Sequence, residues 1–547
     1  MKISILFCFG VLSGLIGLGQ NTIGLLNNNG GSTDGYVLFS PITSTSTYLI
    51  NKCGEKVHEW NSSNKRPALS CHLMEDGSLM RSGKLNNPNF NEGGNGGVIE
   101  QFDWDGNLIW SFELSDSNVV QHHDFKVLPN GNVLLIAWDR YTNAQALAAG
   151  KDTNYSNSFL WSEKILEIKP IGLDSGEVVW EWKLWDHLIQ ELDSTKPNFG
   201  DVTEHPERVN INYFPGQPSS MDWIHLNSID YHPGTDQILV SSHTLNEIWI
   251  IDHSTNILEA ASSAGGNAGK GGDLLYRWGN PQSYQRGGPI NKVFYGQHHA
   301  TWIPNGFPDA GKILVFNNGL NRTGNYSSID MIDPPIDSLN RYSISAQTSF
   351  LPTDLQCRYT DPTPSSFYSS NISGVYPLSN GSFLVTSGAS GTFFELNDKE
   401  EITWKYINPV AQSGILSQGD QPSNNEVFRS EFYPTSYPGL TGKDLSSKGP
   451  IELNASSNES CSILSNLSIA LPDRTLFEVY PNPTSNWVTL QSSISDYWLR
   501  VTDWMGTTLL YQQGPRKVNL APYPDGVYLF TLQFENGTQT ATLVVKQ

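Results

Sequence analysis

At 547 residues, with 38% hydrophobic and 11% aromatic residues, the chain is long enough for more than one domain and a large buried core. The net charge of −21 argues against nucleic-acid binding and against docking on anionic lipid, because both depend on clustered Lys and Arg. The 49 Gly, 31 Pro and 16 Trp indicate a β-rich chain with many turns.

Residues 1–19 predict a secretory signal peptide, with an early lysine, an apolar run and small residues before Gln20. No later segment is long enough to span a membrane. The mature chain is therefore expected to be exported, and Cys53, Cys71, Cys357 and Cys461 then pair in one of three ways. We favour Cys53–Cys71, since both lie on neighbouring predicted strands.

Residues 20–410 contain one pattern repeated six times, in which an Asn-Gly or Asp-Gly turn precedes an apolar strand and a second strand ends near Trp. The third copy, "LPNGNVLLIAWD" with "KILEIKPIGLDSGEVVWEWKL", and the sixth, "LSNGSFLVTSGASGTFFELNDKEEITWKY", show it clearly. Repeats of this length with several strands each are typical of propeller blades. The sequence predicts an all-β fold built on a six-bladed β-propeller.

Residues 411–474 are rich in Ser, Asn and Gly and predict an exposed linker. Residues 475–547 contain short alternating strands and predict a small β-sandwich. The "YPNPT" opening and the "GVYLF" segment resemble the C-terminal sorting domain of the type IX secretion system. That resemblance implies recognition by the secretion machinery and a place outside the cell or on its surface.

Histidine pairs stand out among the twelve histidines of the chain. His122 and His123 precede one predicted inner strand, His225 precedes the next, and His298 and His299 precede the one after that. A propeller brings equivalent positions of different blades to one channel, so these side chains are expected to meet. A histidine cluster can divide nucleophile, acid and base duties because imidazole titrates near neutral pH. His243 follows the "ILVSS" strand. The other six histidines lack this equivalence and are assigned structural roles: His58, His72, His187, His205, His232 and His253.

The segments "HHDFKVLPNGNVL", "DWIHLNSIDY", "ILVSS" and "GQHHATW" resemble the bacterial arylsulfate sulfotransferase family, from about Gly35 to Tyr406. The resemblance implies a propeller that moves a sulfuryl group from an aryl sulfate to a phenol without a nucleotide or other cofactor. The Gln-His-x-Ala segment places the sulfated histidine at His298. The Trp-x-His-x-Asn segment supplies His225 and Asn227.

The "HHD" segment supplies a further catalytic histidine, His123, with His122 as the alternative. Asn227, His243, His122 and His299 are assigned to substrate binding. At His243 the family pattern has an arginine that clamps the sulfuryl oxygens, and a histidine offers fewer donors and only part-time charge. Arg277 either compensates for the missing guanidinium or is a packing residue.

Two other functions fit the same sequence. Converging histidines suit a metal enzyme, although Asp124 and Asp222 beside them show no regular ligand spacing and we assign no metal ligands. A secreted propeller that only binds a glycan or a peptide is the second alternative. Neither alternative needs a nucleophilic histidine.

Overall fold

Short strands between turns make up nearly all of the regular structure. The computed structural model describes residues 21–62, 65–214, 220–344, 348–455, 477–492, 497–503, 507–534 and 539–547, so the predicted signal peptide lies outside the described residues. The chain divides into two compact units, residues 1–457 and 458–547. The helices of the described part are short: α1 Asn143–Ala148, α2 Ile257–Ala260, and the 3-10 segments Leu184–His187, Pro281–Tyr284, Pro289–Asn291, Pro364–Ser366, Gly388–Ser390 and Pro438–Leu440.

The first half of the first unit contains strands β1 Gly24–Asn28, β2 Gly35–Pro41, β3 Ser46–Asn51, β4 Lys56–Asn61, β5 Pro67–Leu73, β6 Leu79–Lys84, β7 Gly97–Phe102, β8 Leu108–Glu113, β9 Val119–Val127, β10 Val133–Thr142, β11 Phe159–Ile171, β12 Ser175–Lys183, β13 Leu188–Ile189 and β14 Val209–Asn210. Its second half contains β15 Leu226–His232, β16 Gln237–Ser242, β17 Glu247–Asp252, β18 Tyr276–Trp278, β19 His298–Trp302, β20 Ile313–Asn317, β21 Ser328–Ile332, β22 Cys357–Tyr359, β23 Gly374–Pro377, β24 Phe383–Ser387, β25 Thr392–Leu396, β26 Ile402–Ile407, β27 Val410–Ala411, β28 Gly414–Ile415 and β29 Val427–Pro434.

Most of these strands form antiparallel sheets of four or five members, while β13 and β14 form a parallel pair and β27 and β28 an antiparallel pair. The orders are β29-β2-β3-β4, β5-β6-β7-β8, β9-β10-β11-β12, β15-β16-β17-β18, β19-β20-β21-β22 and β23-β24-β25-β26-β1. The first-named strands contact one another in the series β5, β9, β15, β19, β23, β29 and back to β5. The all-β class is confirmed; the closed ring of six blades stays a prediction that this series of contacts supports.

The turn residues explain where the strands end. In the turn between β9 and β10, the Gly131 N–H donates to the Leu128 carbonyl and Gly131 has a φ of 84°, a conformation that glycine adopts without steric penalty. β10 is buried on both faces along most of its length, because neighbouring sheets cover it on either side. Its side chains therefore form a continuous apolar run rather than an alternating one.

The predicted linker at residues 411–474 is wrong for its first part. β29 lies within it and pairs with β2, from Gly35 opposite Pro434 to Pro41 opposite Val427. Seven of the eight residues of β29 are buried. The polar composition around this strand, and the three polar residues at its middle, concealed a strand that completes the sheet begun by β2.

The favoured Cys53–Cys71 disulfide is also wrong. Cys53 is disulfide-bonded, whereas Cys71 is a free, buried thiol. The Cys71 side chain lies in the core between the first two sheets, beside Leu38 and Leu49. Cys53 lies in the turn that follows β3, so the two side chains belong to different parts of the blades.

The two free thiols of the described residues are expected to differ sharply in reactivity. Burial raises the pKa of Cys71 to about 12, so almost no reactive thiolate is present, while Cys357 is exposed. With an aromatic disulfide reagent, we expect a fast phase from Cys357 and a Cys71 phase only after denaturation. Cys357→Ser should remove the fast phase; its persistence in that variant and its loss in Cys71→Ser would contradict this assignment.

The second unit contains the strands β30 Phe477–Tyr480, β31 Trp487–Ser492, β32 Tyr497–Thr502, β33 Thr508–Gln513, β34 Lys517–Asn519, β35 Gly526–Phe534 and β36 Gln539–Lys546. They form two sheets, ordered β30-β31-β34 and β33-β32-β35-β36. Apolar side chains of both sheets share one core, among them Leu490, Leu499 and Phe530. Among the described residues of both units, no helix has the length and apolar character to cross a bilayer.

Candidate active site

Four histidines line one cavity of about 700 Å³ in the first unit: His123, His225, His243 and His298. The ring centroids are 4.6 Å apart for His123 and His225, 5.2 Å for His225 and His243, and 5.3 Å for His243 and His298. Three different sheets supply these side chains. The predicted convergence of His123, His225 and His298 is therefore present, and His243 joins them.

Unusual φ values and register shifts at and beside these histidines determine the direction of their side chains. His123, His225 and His299 have φ values of 49°, 55° and 48°, in the left-handed region that non-glycine residues seldom adopt. The pairing of β9 with β10 and of β19 with β20 shifts register at the two His-His pairs. Such bulges redirect side chains, and here the second histidine of the β9 pair and the first of the β19 pair face the cavity.

One tautomer of His298 is fixed by its neighbours. The Asn318 amide nitrogen donates to the carbonyls of Ser369 and Ile372, at 2.8 and 2.9 Å, so its oxygen faces the His298 Nδ1 atom at 2.8 Å. Nδ1 therefore carries the proton and donates it to Asn318. The other nitrogen, Nε2, keeps a lone pair, toward which the Ile372 N–H donates over 3.2 Å.

The charge state of His298 suits the same role. Burial lowers its pKa to about 3, so the imidazole is neutral at physiological pH. A neutral imidazole with an unprotonated Nε2 is a nucleophile, whereas an imidazolium is not.

Asn318→Ala is expected to slow any reaction at His298 Nε2 by about 10–100-fold, because the tautomer and ring orientation are no longer fixed. The measurement is the rate of modification of His298 by an aryl sulfate. Asn317→Ala is the matched control: Asn317 is equally buried and bonds to Val293 and Asp330 instead. Equal losses in both variants would show that only packing was disturbed.

His225 differs from its neighbours in charge. Its Nδ1 donates to the Asp222 carboxylate in a short hydrogen bond. Burial opposes the charged form, but the adjacent Asp222 charge and this hydrogen bond outweigh it and raise the pKa of His225 above its ordinary value. His225 therefore stays protonated to higher pH than His123 and His243, since burial lowers the pKa of both of these well below the usual range.

A buried chain of hydrogen bonds extends behind His123. Its Nδ1 lies 2.8 Å from Nδ1 of His122, and Nε2 of His122 lies 2.9 Å from Oε2 of Glu163. The other oxygen of Glu163 accepts the Leu226 N–H at 2.9 Å. His122 and Glu163 are both fully buried, and the His122 ring stacks on Trp138 at a centroid distance of 4.2 Å.

Three of the residues assigned to substrate binding do not line the cavity. His122 lies behind His123, His299 accepts the Val375 N–H at 3.1 Å, and the Asn227 amide donates to the Gln297 carbonyl at 2.8 Å. Their positions follow from the register shifts, which turn one residue of each pair into the core. Of the four residues assigned to substrate binding, His243 alone faces the cavity.

Arg277 does not compensate for the arginine that is absent at position 243. It is fully buried, pairs with Glu247 at 2.6 Å and stacks over Tyr284, away from the cavity lining. Its role is packing between strands β17 and β18. The six histidines assigned structural roles also lie outside the cavity lining.

Several lining and supporting residues were missed from sequence. Arg66 and Lys84 line the cavity, and so does Ile372, whose φ of 48° is unusual for a β-branched residue. Gly94 also lines it, and a Cβ there would lie 1.9 Å from the His123 ring, so only glycine permits this contact. These residues belong to loops that carry no distinctive motif.

Arg429 on β29 was missed because its segment was taken for a linker. Its guanidinium donates to the Asp124 carboxylate at 2.9 Å, and Asp124 also accepts the Ile229 N–H at 3.0 Å and a short bond from the Ser70 hydroxyl. These hydrogen bonds connect β9, which carries both His123 and Asp124, to strands of three other sheets. Across the described ranges, no group of three or more His, Cys, Asp or Glu side chains has the geometry to hold a metal ion.

Comparisons with known proteins cover both units. Residues 55–431, more than half of the chain, match the arylsulfotransferase (ASST) family, and residues 478–546 match the secretion system C-terminal sorting domain. No curated protein sequence matches the chain.

Solved structures are similar only at a distance. A protein of unknown function from Bacteroides caccae is 12% identical, with 73% of this chain and 99% of that one covered and a TM-score of 0.40. Virginiamycin B lyase from Staphylococcus aureus is 12% identical, with 71% and 89% covered and a TM-score of 0.32. Neither likeness bears on the chemistry.

The family match spans the four histidines of the cavity, and the sorting domain indicates export, with secretion or attachment at the cell surface. The chain belongs to the arylsulfotransferase family.

Proposed function

We propose that the protein is a nucleotide-independent sulfotransferase that moves a sulfuryl group from an aryl sulfate to a phenol through a sulfated His298. The observation that carries this proposal is the fixed tautomer of His298, which leaves Nε2 unprotonated on a residue that lines a 700 Å³ cavity. Covalent capture splits one displacement into two steps, each with its own acid or base catalyst.

In the first step, His298 Nε2 bonds to sulfur while the bond from sulfur to the phenolic oxygen breaks. The Nδ1 proton stays in place, donated to Asn318, and the departing phenolate receives a proton from His225 or His123. In the second step, an acceptor phenol gives up a proton to the same acid–base pair as its oxygen attacks sulfur and the bond from sulfur to His298 Nε2 breaks. Proton transfer of this kind contributes roughly 10²–10⁴-fold to rate.

The sulfuryl oxygens need donors in place of the family arginine. The Ile372 N–H points at Nε2 and is free to donate to a sulfuryl oxygen once that nitrogen is bonded to sulfur. The His225 imidazolium supplies positive charge, and His243 supplies an uncharged donor. Arg66 and Lys84 on the cavity wall favour an anionic donor over a neutral one.

The rest of the lining suits a planar ring. Ile42, Leu69, Leu320 and Ile372 supply apolar surface around the four histidines. A phenyl group bound there is partly removed from water, which favours aryl over small alkyl sulfates.

The test is incubation of the mature protein with 4-nitrophenyl sulfate, with nitrophenol release followed by colour and the protein by intact mass. We expect one released phenol per chain in a burst, one added sulfuryl group located on the peptide that contains His298, and its loss when a phenol is added. Saturable binding of the aryl sulfate without phenol release or added mass would overturn the proposal and favour the binding module.

A further inference from the structure

Glu163 is a buried acidic residue to which the reaction proposed above assigns no role. It lies on β11, two strands from β9 in the same sheet, and is joined to His123 through His122. Both side chains, His122 and Glu163, are fully buried and have no contact with bulk solvent. A chain of three ionisable groups that ends in a catalytic cavity is an arrangement for moving a proton.

We propose that Glu163 and His122 are positioning residues that relay a proton to and from His123 Nε2, which makes His123 the acid of the first half-reaction and the base of the second. The proposal rests on the proposed function, because it assigns the direction of proton movement in that reaction.

The hydrogen bonds allow two states that differ by one proton, so the first is neutral and the second carries one negative charge. In the first, the Glu163 carboxyl donates to His122 Nε2, His122 Nδ1–H donates to His123 Nδ1, and His123 Nε2–H faces the cavity as a donor. In the second, Glu163 is a carboxylate, His122 donates to it through Nε2–H, and His123 donates to His122 through Nδ1–H. His123 Nε2 then faces the cavity as an acceptor.

Protons and charge are conserved in both half-reactions. When the first phenolate leaves, His123 gives it the Nε2 proton, takes the Nδ1 proton of His122, and His122 takes the proton of Glu163. The negative charge of the leaving phenolate thereby passes to the Glu163 carboxylate, which the Leu226 N–H and His122 stabilise. The acceptor phenol reverses each transfer and restores the starting state.

The surroundings favour the first state in the resting protein. Burial raises the pKa of Glu163 well above its ordinary value, with the nearby Asp222 charge adding to the effect, and burial lowers the pKa of His122. The pair is therefore neutral, with the proton on the carboxyl group. Other ionisable groups also act on the relay: Asp139 on Glu163, His225 on His122, and His225, His298 and His243 on His123.

Glu163→Gln is the test, because its amide keeps the hydrogen bonds and removes the transferable proton. The amide oxygen accepts the Leu226 N–H and the amide nitrogen donates to His122. The first-step rate is expected to fall roughly 10²-fold with phenyl sulfate, whose leaving group needs protonation, and less than about tenfold with 4-nitrophenyl sulfate. Equal losses with both substrates would indicate disturbed packing and overturn the relay.

Glu167→Gln is the matched control. Glu167 lies on the same strand, accepts hydrogen bonds from His253 and Asn132, and lies outside the cavity lining. It is expected to leave the rates with both substrates unchanged. A selective loss with phenyl sulfate in this variant too would overturn the assignment to Glu163.

A second measurement does not depend on turnover. In histidine-labelled wild-type protein, ¹⁵N NMR should show His122 protonated at Nδ1 and His123 at Nε2. As pH rises through the Glu163 titration, both should switch together, and in Glu163→Gln neither should switch. Independent or absent switching in the wild type would overturn the relay. If the wild type releases no phenol from either substrate, the proposed function fails and this spectrum alone decides the relay.

Discussion

His298→Ala is expected to abolish both the covalent sulfuryl adduct and the release of phenol. No other cavity histidine combines a neutral ring with a tautomer fixed by an amide such as Asn318. Removal of a nucleophile costs at least about 10⁴-fold in rate, because only binding and electrostatic effects remain. Intact-mass spectrometry and burst kinetics with 4-nitrophenyl sulfate measure the two losses separately.

The control for this variant is His205→Ala, since His205 is exposed and pairs only with Glu207. It should retain full burst amplitude and full turnover. An adduct that persists in His298→Ala would move the nucleophile to another histidine, and peptide mapping would identify it.

Asp222→Asn is expected to lower activity at neutral pH by roughly 10²–10³-fold, because the positive charge of His225 near the sulfuryl oxygens is lost, and to shift the pH profile toward acid. In the wild type, the pKa of His225 is raised, so the imidazolium is present below that pKa and is lost as pH rises through it. Without the Asp222 charge, burial dominates and lowers the pKa of His225. The alkaline limb of kcat/KM against pH should therefore move to lower pH.

Asp236→Asn is the matched control, because Asp236 forms a similar pair with His253 at 2.7 Å outside the cavity lining. The pKa of His253 should fall from its value of about 9, and the pH profile of catalysis should not change. An unchanged alkaline limb in Asp222→Asn would show that the His225 imidazolium does not set the activity.

The elements that local signals define were predictable from the sequence. Turns such as the one at Gly131 depend on a glycine two residues from an apolar strand, so both the turn and the strand are visible in a short window. β29 was not predictable in this way, because its partner β2 lies at the other end of the unit and its flanks are polar. The Cys53–Cys71 pairing failed since strand adjacency says nothing about which way a thiol points.

Within the site, too, some residues could be predicted from the sequence and others could not. His123, His225 and His298 were found because equivalent places in a repeated blade must converge. Asn227 was misplaced because the bulge at the start of β15 turns it toward Gln297, and a register shift leaves no trace in composition. Glu163 was overlooked because "WSEKILEI" has the ordinary alternation of a strand.

β29 also determines at which stage of folding the site around the four cavity histidines is completed. It is the last strand of the first unit along the chain, it pairs with β2 near the beginning, and it carries Arg429, the partner of Asp124. Pairing over such a sequence separation is slow to form, so this contact is a late event in folding. A chain emerging N-terminus first during export thus has all four cavity histidines long before it has β29 in place. The sulfuryl transfer proposed above would therefore report directly that the whole unit has folded.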